Sequence, residues 1–351
     1  MPTKRITLLL LSLFCSSSLY AQNVLTNSNN SNLNSLNSNK IEIVRPCHTY
    51  SIVARDAATG ELGVAVQSHW FSVGSLVAWA EAGVGAVATQ ATVDAGYGPK
   101  GLDLMRQGMS SPDALKKLLS EDKLSNVRQV AMVDAKGKAA AHTGSLCIVE
   151  AGHFVGDGFT TEANLMLKST VWDAMQRAFT AAKGSLTDRL IVALEAAQAE
   201  GGDVRGQQSA AMVVVSGTNT GRPWVGGDVL VSLRVEDHPK PVEELKRLVA
   251  LQKGFKLADK GDEYFAKGEI DNANKSYAEA EKQTGSVELA FWHAVTLATG
   301  GRVEEALPIF KRVFESDANW AVLLPRLPKS NLFPNDPKLI EKVLSVAPKK
   351  K

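Results

Sequence analysis

The 351-residue chain carries 39 Lys and Arg against 37 Asp and Glu, a formal net charge of +2. No long basic block interrupts that balance, which excludes the electrostatic footprint expected of a nucleic-acid binder or an anionic-membrane binder. The length exceeds one average domain and predicts two, each able to bury its own core.

Lys4 and Arg5 precede the apolar run Ile6 to Phe14, and small residues follow as far as Ala21. That is the charge, apolar and cleavage pattern of a secretory signal, so residues 1–21 are read as a signal peptide cut after Ala21. The apolar stretch is far shorter than the ~20 residues of a spanning helix. Cys15 follows Leu13 and Phe14 rather than the small residues a lipid-attachment site wants. The expected product is periplasmic or secreted, with no membrane span once the signal is removed. Of three cysteines, Cys47 and Cys147 would remain. An oxidising compartment permits a disulfide between them, while two separate thiols, with Cys147 in a strand, is the other reading. With no CxxC or HxxxH pair and six scattered histidines, neither metal nor cofactor is predicted.

Residues 22–46 form an Asn/Ser-rich linker with too little apolar surface to fold. A domain is predicted over 47–240. TYSIVARD, from Thr49, and LGVAVQS flank the turn Ala57 to Gly60 and predict a β-hairpin. Val84 to Thr89 is a third strand, and Gly101 to Leu119 has apolar residues at helical spacing. RQVAMVDAKGKAAAHTG predicts a second hairpin, followed by short strands at Cys147 to Val149 and His153 to Phe154. Helices are expected over Ser169 to Ala182 and Leu186 to Glu200, then strands over Ala210 to Val215 and Val229 to Val235. Strands at both ends with helical blocks between predict an α+β class rather than alternating βαβ units.

From Pro241 to Lys351 the chain becomes helical and self-similar. Tyr264, Gly268, Ala273 and Tyr277 recur as Leu297, Gly301, Ala306 and Phe310 at a constant offset of 33. That offset is close to the ~34 of tetratricopeptide repeats and predicts about two repeats and a terminal helix. An ordinary helical hairpin without a binding role is the plainer reading. An uncovered end of such an array would suit a protein partner or a second copy of the chain.

HTYSIVARDAATGELGVAVQSHWFSVGS, AGVGAVATQA, YGPKGLDLM, RQVAMVDAKGKAAAHTG, GHFVGDGFTTEANLM and GGDVRGQQSAAMVVV together resemble the bacterial family known as domain of unknown function 1028, over roughly Thr49 to Val235. That family is similar to N-terminal-nucleophile (Ntn) hydrolases. The resemblance implies a four-layer αββα sandwich and supplies no substrate beyond a small amide or peptide. Thr49 opens the first strand, where an Ntn nucleophile stands with its own α-amine as base. Its exposure requires a cut between His48 and Thr49. Cys47 is a rival nucleophile that would need a cut after Pro46. The small residues Val87 to Gln90 offer backbone amides for an oxyanion, with Gln90 at their end. Ser68 and His69 end the second strand beside Thr49, as catalytic groups or as a turn. Asn164, after a Gly-rich loop, is a candidate amide donor. His142, Asp203, Arg205, Gln207 and Ser209 are candidate substrate contacts, with a structural histidine and a loop ion pair as alternatives. Proteasome-type members place a lysine after the second strand; here Trp79 and Glu81 stand in that region. The reading is an exported amide hydrolase, with a non-catalytic binding or scaffolding protein on the same fold as the alternative.

Overall fold

A computed structural model describes residues 47–348. The predicted signal peptide and all of the Asn/Ser linker before Cys47 lie outside the described residues.

The first hairpin pairs Thr49–Arg55 (β1) with Leu62–Ser68 (β2) in the register Thr49↔Ser68 to Arg55↔Leu62. The Asp56 carboxylate closes its turn by accepting from Ala58 and Thr59 N–H at 2.9 Å. Ala78–Glu81 (β3) and Gly85–Ala91 (β4) follow. Two helices come next, Tyr97–Arg106 (α1) and Ser111–Glu121 (α2). Arg128–Asp134 (β5) and Ala139–Thr143 (β6) form the second hairpin, and Gly152–Gly156 (β7) and Phe159–Ala163 (β8) a third. Val171–Ala181 (α3), Leu186–Ala199 (α4), Ser209–Val215 (β9) and Val229–Val235 (β10) complete this part.

All strand pairs are antiparallel, in a six-stranded sheet ordered β10-β9-β2-β1-β8-β7 and a four-stranded sheet ordered β3-β4-β5-β6. Strand alternation decides what each face covers. On β1, Tyr50, Ile52 and Ala54 pack with Met175, Leu190 and Leu194 of α3 and α4. Val53, on the opposite face, packs with Val64 and Val66 of β2 and with Ala86, Ala88, Ala131 and Val133 of the other sheet. Val87, Val130 and Met132 turn outward onto Leu102, Met105 and Leu115 of α1 and α2. The layers therefore run α3/α4, six-stranded sheet, four-stranded sheet, α1/α2. This is the four-layer αββα sandwich of the α+β class that the resemblance implied. Small Ala and Val side chains between the sheets allow their close approach.

The expectations of a single helix from Gly101 to Leu119 and of a strand at Cys147 to Val149 are corrected. Gly108, at φ +93°, ends the first helical stretch and the Ser110 hydroxyl caps the second by accepting from Asp113 N–H. Residues 147–149 lie in a loop, with Ile148 41% and Val149 78% exposed. Cys147 Sγ donates to Arg128 O at 3.4 Å, and both Cys47 and Cys147 are free thiols. Two strands escaped the sequence reading. The four half-buried residues of β3 are too few to show a period, and FTTEA of β8 looks like loop because Thr160 and Glu162 are polar and face inward.

The helical tail begins with a 26-residue helix, Pro241–Ala266 (α5). Its first turns bury Val242, Leu245 and Val249 in the same core as α3, α4 and the six-stranded sheet. Farther along, Ala258 packs with Tyr277 and Ala280 of Ile270–Thr284 (α6). Val287–Thr299 (α7) and Val303–Ser316 (α8) form the next pair. The 33-residue offset is visible in the backbone. Gly268 and Gly301 take φ +77° and +82°, and Glu269 and Arg302 N–H donate to Tyr264 and Leu297 O at 2.9 and 2.8 Å. Ala273, Tyr277, Leu297, Ala306 and Phe310 are buried and Tyr264 is half-buried. The proline-interrupted end packs Leu324, Leu327, Phe333 and Val343 onto Phe310 and Phe314, covering the last helix pair. No helix among the described residues is long and apolar enough to cross a membrane.

Candidate functional site

The space between the sheets changes character along its length. At the far end it is filled by Leu62, Val133 and Val215, and toward Thr49 the inward positions become Thr49, Ser51, Ser68, Gln90, Gln129, Glu162 and Asn164, each fully buried. Burying so many polar groups is tolerable only where they satisfy one another, and here they form a directed chain. His48 Nδ1 is 2.7 Å from Asn164 Oδ1. Asn164 Nδ2 donates to Gln129 Oε1 at 2.7 Å, and Gln90 Nε2 donates to the same oxygen at 2.7 Å. Ser51 Oγ lies 2.8 Å from Gln90 Oε1 and 2.9 Å from Glu162 Oε1. The Gln129 amide nitrogen faces the carbonyls of Ala163 at 2.9 Å and Gly152 at 3.1 Å, which fixes its orientation.

Ser51 has one hydroxyl proton and two oxygens to face. Gln90 Oε1 can only accept, and both contacts are satisfied when Ser51 donates to Gln90 and a protonated Glu162 donates to Ser51, whereas an ionised Glu162 would compete with Gln90 for the Ser51 proton. Desolvation acts in the same direction: complete burial pushes the Glu162 carboxyl up to about 8, against a smaller opposing effect of the Ser51 hydrogen bond. Glu162 Oε2 has no partner among the described residues. A neutral acid therefore anchors the inner end of the chain.

At the outer end stands the peptide bond between His48 and Thr49. The His48 carbonyl oxygen accepts from Ser68 Oγ and, at 3.1 Å, from Arg205 Nη2. Arg205 is held by Asp203, through Nε to Oδ1 at 3.1 Å and Nη2 to Oδ2 at 2.7 Å. The buried Asp203 also accepts from His69 N–H at 3.2 Å and Arg205 N–H at 2.9 Å, so its position is over-determined. Thr49 Oγ1 donates to Cys47 O at 2.9 Å and lies 3.5 Å from Cys47 Sγ. Thr49 O accepts from Asn164 N–H at 3.1 Å and Gln90 Nε2 at 3.4 Å. Cys47 itself continues an edge, exchanging two backbone hydrogen bonds with Ala91 at 2.7 and 3.0 Å. Burial pushes the Cys47 thiol up, which keeps it protonated and a poor nucleophile. Burial also lowers the His48 imidazole, so the ring is neutral and Nδ1 donates to Asn164.

A pocket of about 550 Å³ opens over His48, walled by His69, Trp70, Phe71, Leu165, Arg205 and Gln208. Ala91, Leu165 and Ser72, all in or beside this site, hold φ of +67°, +57° and +56°. Left-handed backbone costs a non-glycine residue about 1–2 kcal/mol, and such strain concentrates where a site over-determines it. A second pocket, of about 570 Å³, lies in the helical tail beside Glu281, His293 and Arg312.

Of the candidates named from sequence, Thr49, Ser68, His69, Gln90, Asn164, Asp203 and Arg205 meet here. Gln90 contributes its side chain, whereas no amide of the Val87 to Gln90 stretch contacts the His48 carbonyl. His142 does not join them: it sits opposite Val130 on the outer face of β6, and its Nε2 donates to Ser125 O at 2.8 Å. Ser209 pins the 70–73 loop, donating to Trp70 O and accepting from Val73 N–H at 3.1 Å. In the 203–209 loop it is Gln208, not Gln207, that lines the pocket. Sequence reading missed His48, Ser51, Gln129 and Glu162. The available signal was a polar residue at every second position of otherwise apolar strands, since such positions face inward. Among the described residues no cluster of potential ligands could hold a metal ion.

Two facing antiparallel sheets flanked by helices, with a threonine opening a central strand at the polar end of the interior, make this a four-layer αββα protein of the α+β class. The chain belongs to the Family of unknown function (DUF1028), whose model matches residues 49–245. A crystal structure of a Silicibacter pomeroyi member of that family is similar at 32% identity and a TM-score of 0.52, over 57% of this chain and 84% of that one. Anbu, an ancestral beta-subunit from Yersinia bercovieri, aligns over 59% of this chain and 93% of its own at 10% identity and a TM-score of 0.30, too loose a likeness for residues to be equated. No curated protein matches the chain.

Proposed function

We propose that this chain is an exported hydrolase of small amides or peptides whose nucleophile, Thr49, is released by cleavage of the chain's own His48–Thr49 bond. The observation that carries this reading is the His48 carbonyl oxygen, held between the Ser68 hydroxyl and the Arg205 guanidinium. Two donors, one of them cationic, aimed at a single carbonyl oxygen are what an oxyanion needs. A carbonyl at an ordinary strand end gains nothing from an arginine braced by a buried carboxylate.

In the proposed step Thr49 Oγ adds to the His48 carbonyl carbon, and the negative charge develops on the oxygen facing Ser68 and Arg205. The C–N bond then breaks, the hydroxyl proton ending on the Thr49 nitrogen. Water hydrolyses the resulting ester to give a His48 carboxylate, a free Thr49 hydroxyl and a free Thr49 amine. That amine is thereafter the base for turnover. Complete burial of Thr49 in the uncut chain agrees with a nucleophile that works on a substrate only after the preceding residues leave.

Intact-mass measurement of protein recovered from the envelope tests the reading. The expected product begins at Thr49, and Thr49→Ala should remain uncut. Ser68→Ala and Arg205→Ala should each slow cleavage by about 10²–10³. Wild-type protein that keeps residues 22–48 after prolonged incubation would sink the proposal. Export rests on Lys4, Arg5 and the apolar run to Phe14, and the same measurement reads it. For the helical tail, the repeated turns at Gly268 and Gly301 support a tetratricopeptide-like array that holds a protein partner or a second copy of the chain.

A further inference from the structure

Cleavage before Thr49 would not merely expose a hydroxyl. It would empty a fitted seat, and the groups left behind describe what fills it next. Cys47 and His48 lie on Ala91, Asn164, Ser68 and Arg205 as an extended two-residue segment. Once they depart, the Ala91 N–H and C=O lose their partners, Asn164 Oδ1 loses the His48 ring, and the two carbonyl donors lose their acceptor. Because the same Thr49 Oγ attacks in both reactions, a substrate carbonyl must take the place of the His48 carbonyl. The acyl side of the substrate must then overlay on Cys47–His48.

Asn164 sets the chemistry of that side. Its Nδ2 is committed to Gln129 Oε1 at 2.7 Å, and Gln129 is locked by its own nitrogen on Ala163 O and Gly152 O. Turning the Asn164 amide would set its oxygen against Gln129 Oε1, so the group presented to the seat is an acceptor. Asn164 is fully buried, and an acceptor buried there without a partner is costly. The preceding position is defined by Cys47, which is fully buried and within 3.5 Å of Thr49 Oγ1 and 3.9 Å of Ser68 Oγ.

Resting on the cleavage reading above, we infer that the mature enzyme hydrolyses extended peptides after a residue with a neutral nitrogen donor (His, Asn or Gln), preceded by a small one (Cys, Ser or Ala). The seat of Cys47–His48 is thus the acyl-side specificity site. Asn164 acts in it as a specificity residue, and Ala91 aligns the backbone as the next strand. The attacked bond is the one following the donor residue; its C–N bond breaks, the amine leaves with the proton relayed by the Thr49 amine, and water releases the acyl group.

The test uses wild-type protein whose Thr49 terminus has been verified by mass, with acetyl-Ala-Xaa-aminocoumarin peptides in which Xaa is His, Asn, Leu or Glu. His and Asn peptides should exceed Leu and Glu in kcat/KM by about 10–100-fold, the discrimination a buried unpaired acceptor gives. Asn164→Leu should remove the advantage of His over Leu. Equal turnover of the four peptides, preference for Leu or Glu, or no turnover of any by protein that does begin at Thr49 would overturn this inference while leaving the cleavage reading standing. Absence of the Thr49 terminus would remove both.

Discussion

Glu162→Gln is expected to lose most of the parent's dependence of stability on pH and to exceed it in stability by about 5 kcal/mol at pH 9. The size follows from a carboxyl raised from 4.5 to about 8 by complete burial, at about 1.4 kcal/mol for each tenfold change in proton affinity. The sign follows from proton counting. Between about pH 4.5 and 8 the folded protein keeps the Glu162 proton and the unfolded chain has lost it. Folding stability therefore falls as pH rises through that window and stays low above it. Glutamine keeps the uncharged state at every pH, and its amide nitrogen can donate to Ser51 Oγ as the protonated acid does. Above pH 8 the parent carboxylate would instead take the Ser51 proton, leaving Gln90 Oε1 without its donor and loosening the chain that ends at Asn164. Urea unfolding of both proteins at pH 5, 7 and 9 measures the difference. A constant offset between them across this range would show that Glu162 is ionised in the folded protein.

Ending the chain after His238 should leave no cooperatively folded protein, whereas ending it after Ala266 should leave the αββα sandwich intact. The first turns of α5 bury Val242, Leu245 and Val249 against the helix-covered face of the six-stranded sheet. At about 1.5–3 kcal/mol for each side chain their loss removes roughly 5–9 kcal/mol. That is comparable with the whole stability of an ordinary domain, about 5–15 kcal/mol. The family model runs to residue 245 and so already includes part of this helix. Thermal unfolding followed by circular dichroism separates the two truncations. A sharp transition in the shorter protein would place the boundary at Pro241, where the composition changes.

Much of this architecture was legible in the sequence because local rules govern it. The β1–β2 hairpin shows alternating TYSIVAR and LGVAVQS around an Asp-anchored turn. The 33-residue offset of the tail reappears as the same glycine turn at Gly268 and Gly301. Thr49, Ser68, Asn164 and Arg205, which the structure brings together, were named as candidates from their places at strand ends and loops and from the family resemblance. The two sheets were legible only in part. β8 was missed because its inward residues, Thr160 and Glu162, are polar, and a strand with polar side chains on an inward face has no apolar period to read.

The elements, the repeat and the threonine at the start of a strand are local properties, and the linear chain already carries them. Which polar residues meet is settled in three dimensions alone. Gln129 and Asn164 are 35 residues apart, and Ser51 and Glu162 are 111 apart. Their contacts depend on two sheets facing each other, and no local spacing encodes that. His48 passes unnoticed in a linear reading, as one more residue before a strand. Only with β2 on one side and the 203–209 loop on the other does its carbonyl become the point where a hydroxyl and a guanidinium converge. Hydrogen-bond satisfaction in a buried space is a property of the whole enclosure, fixed only when every wall is in place.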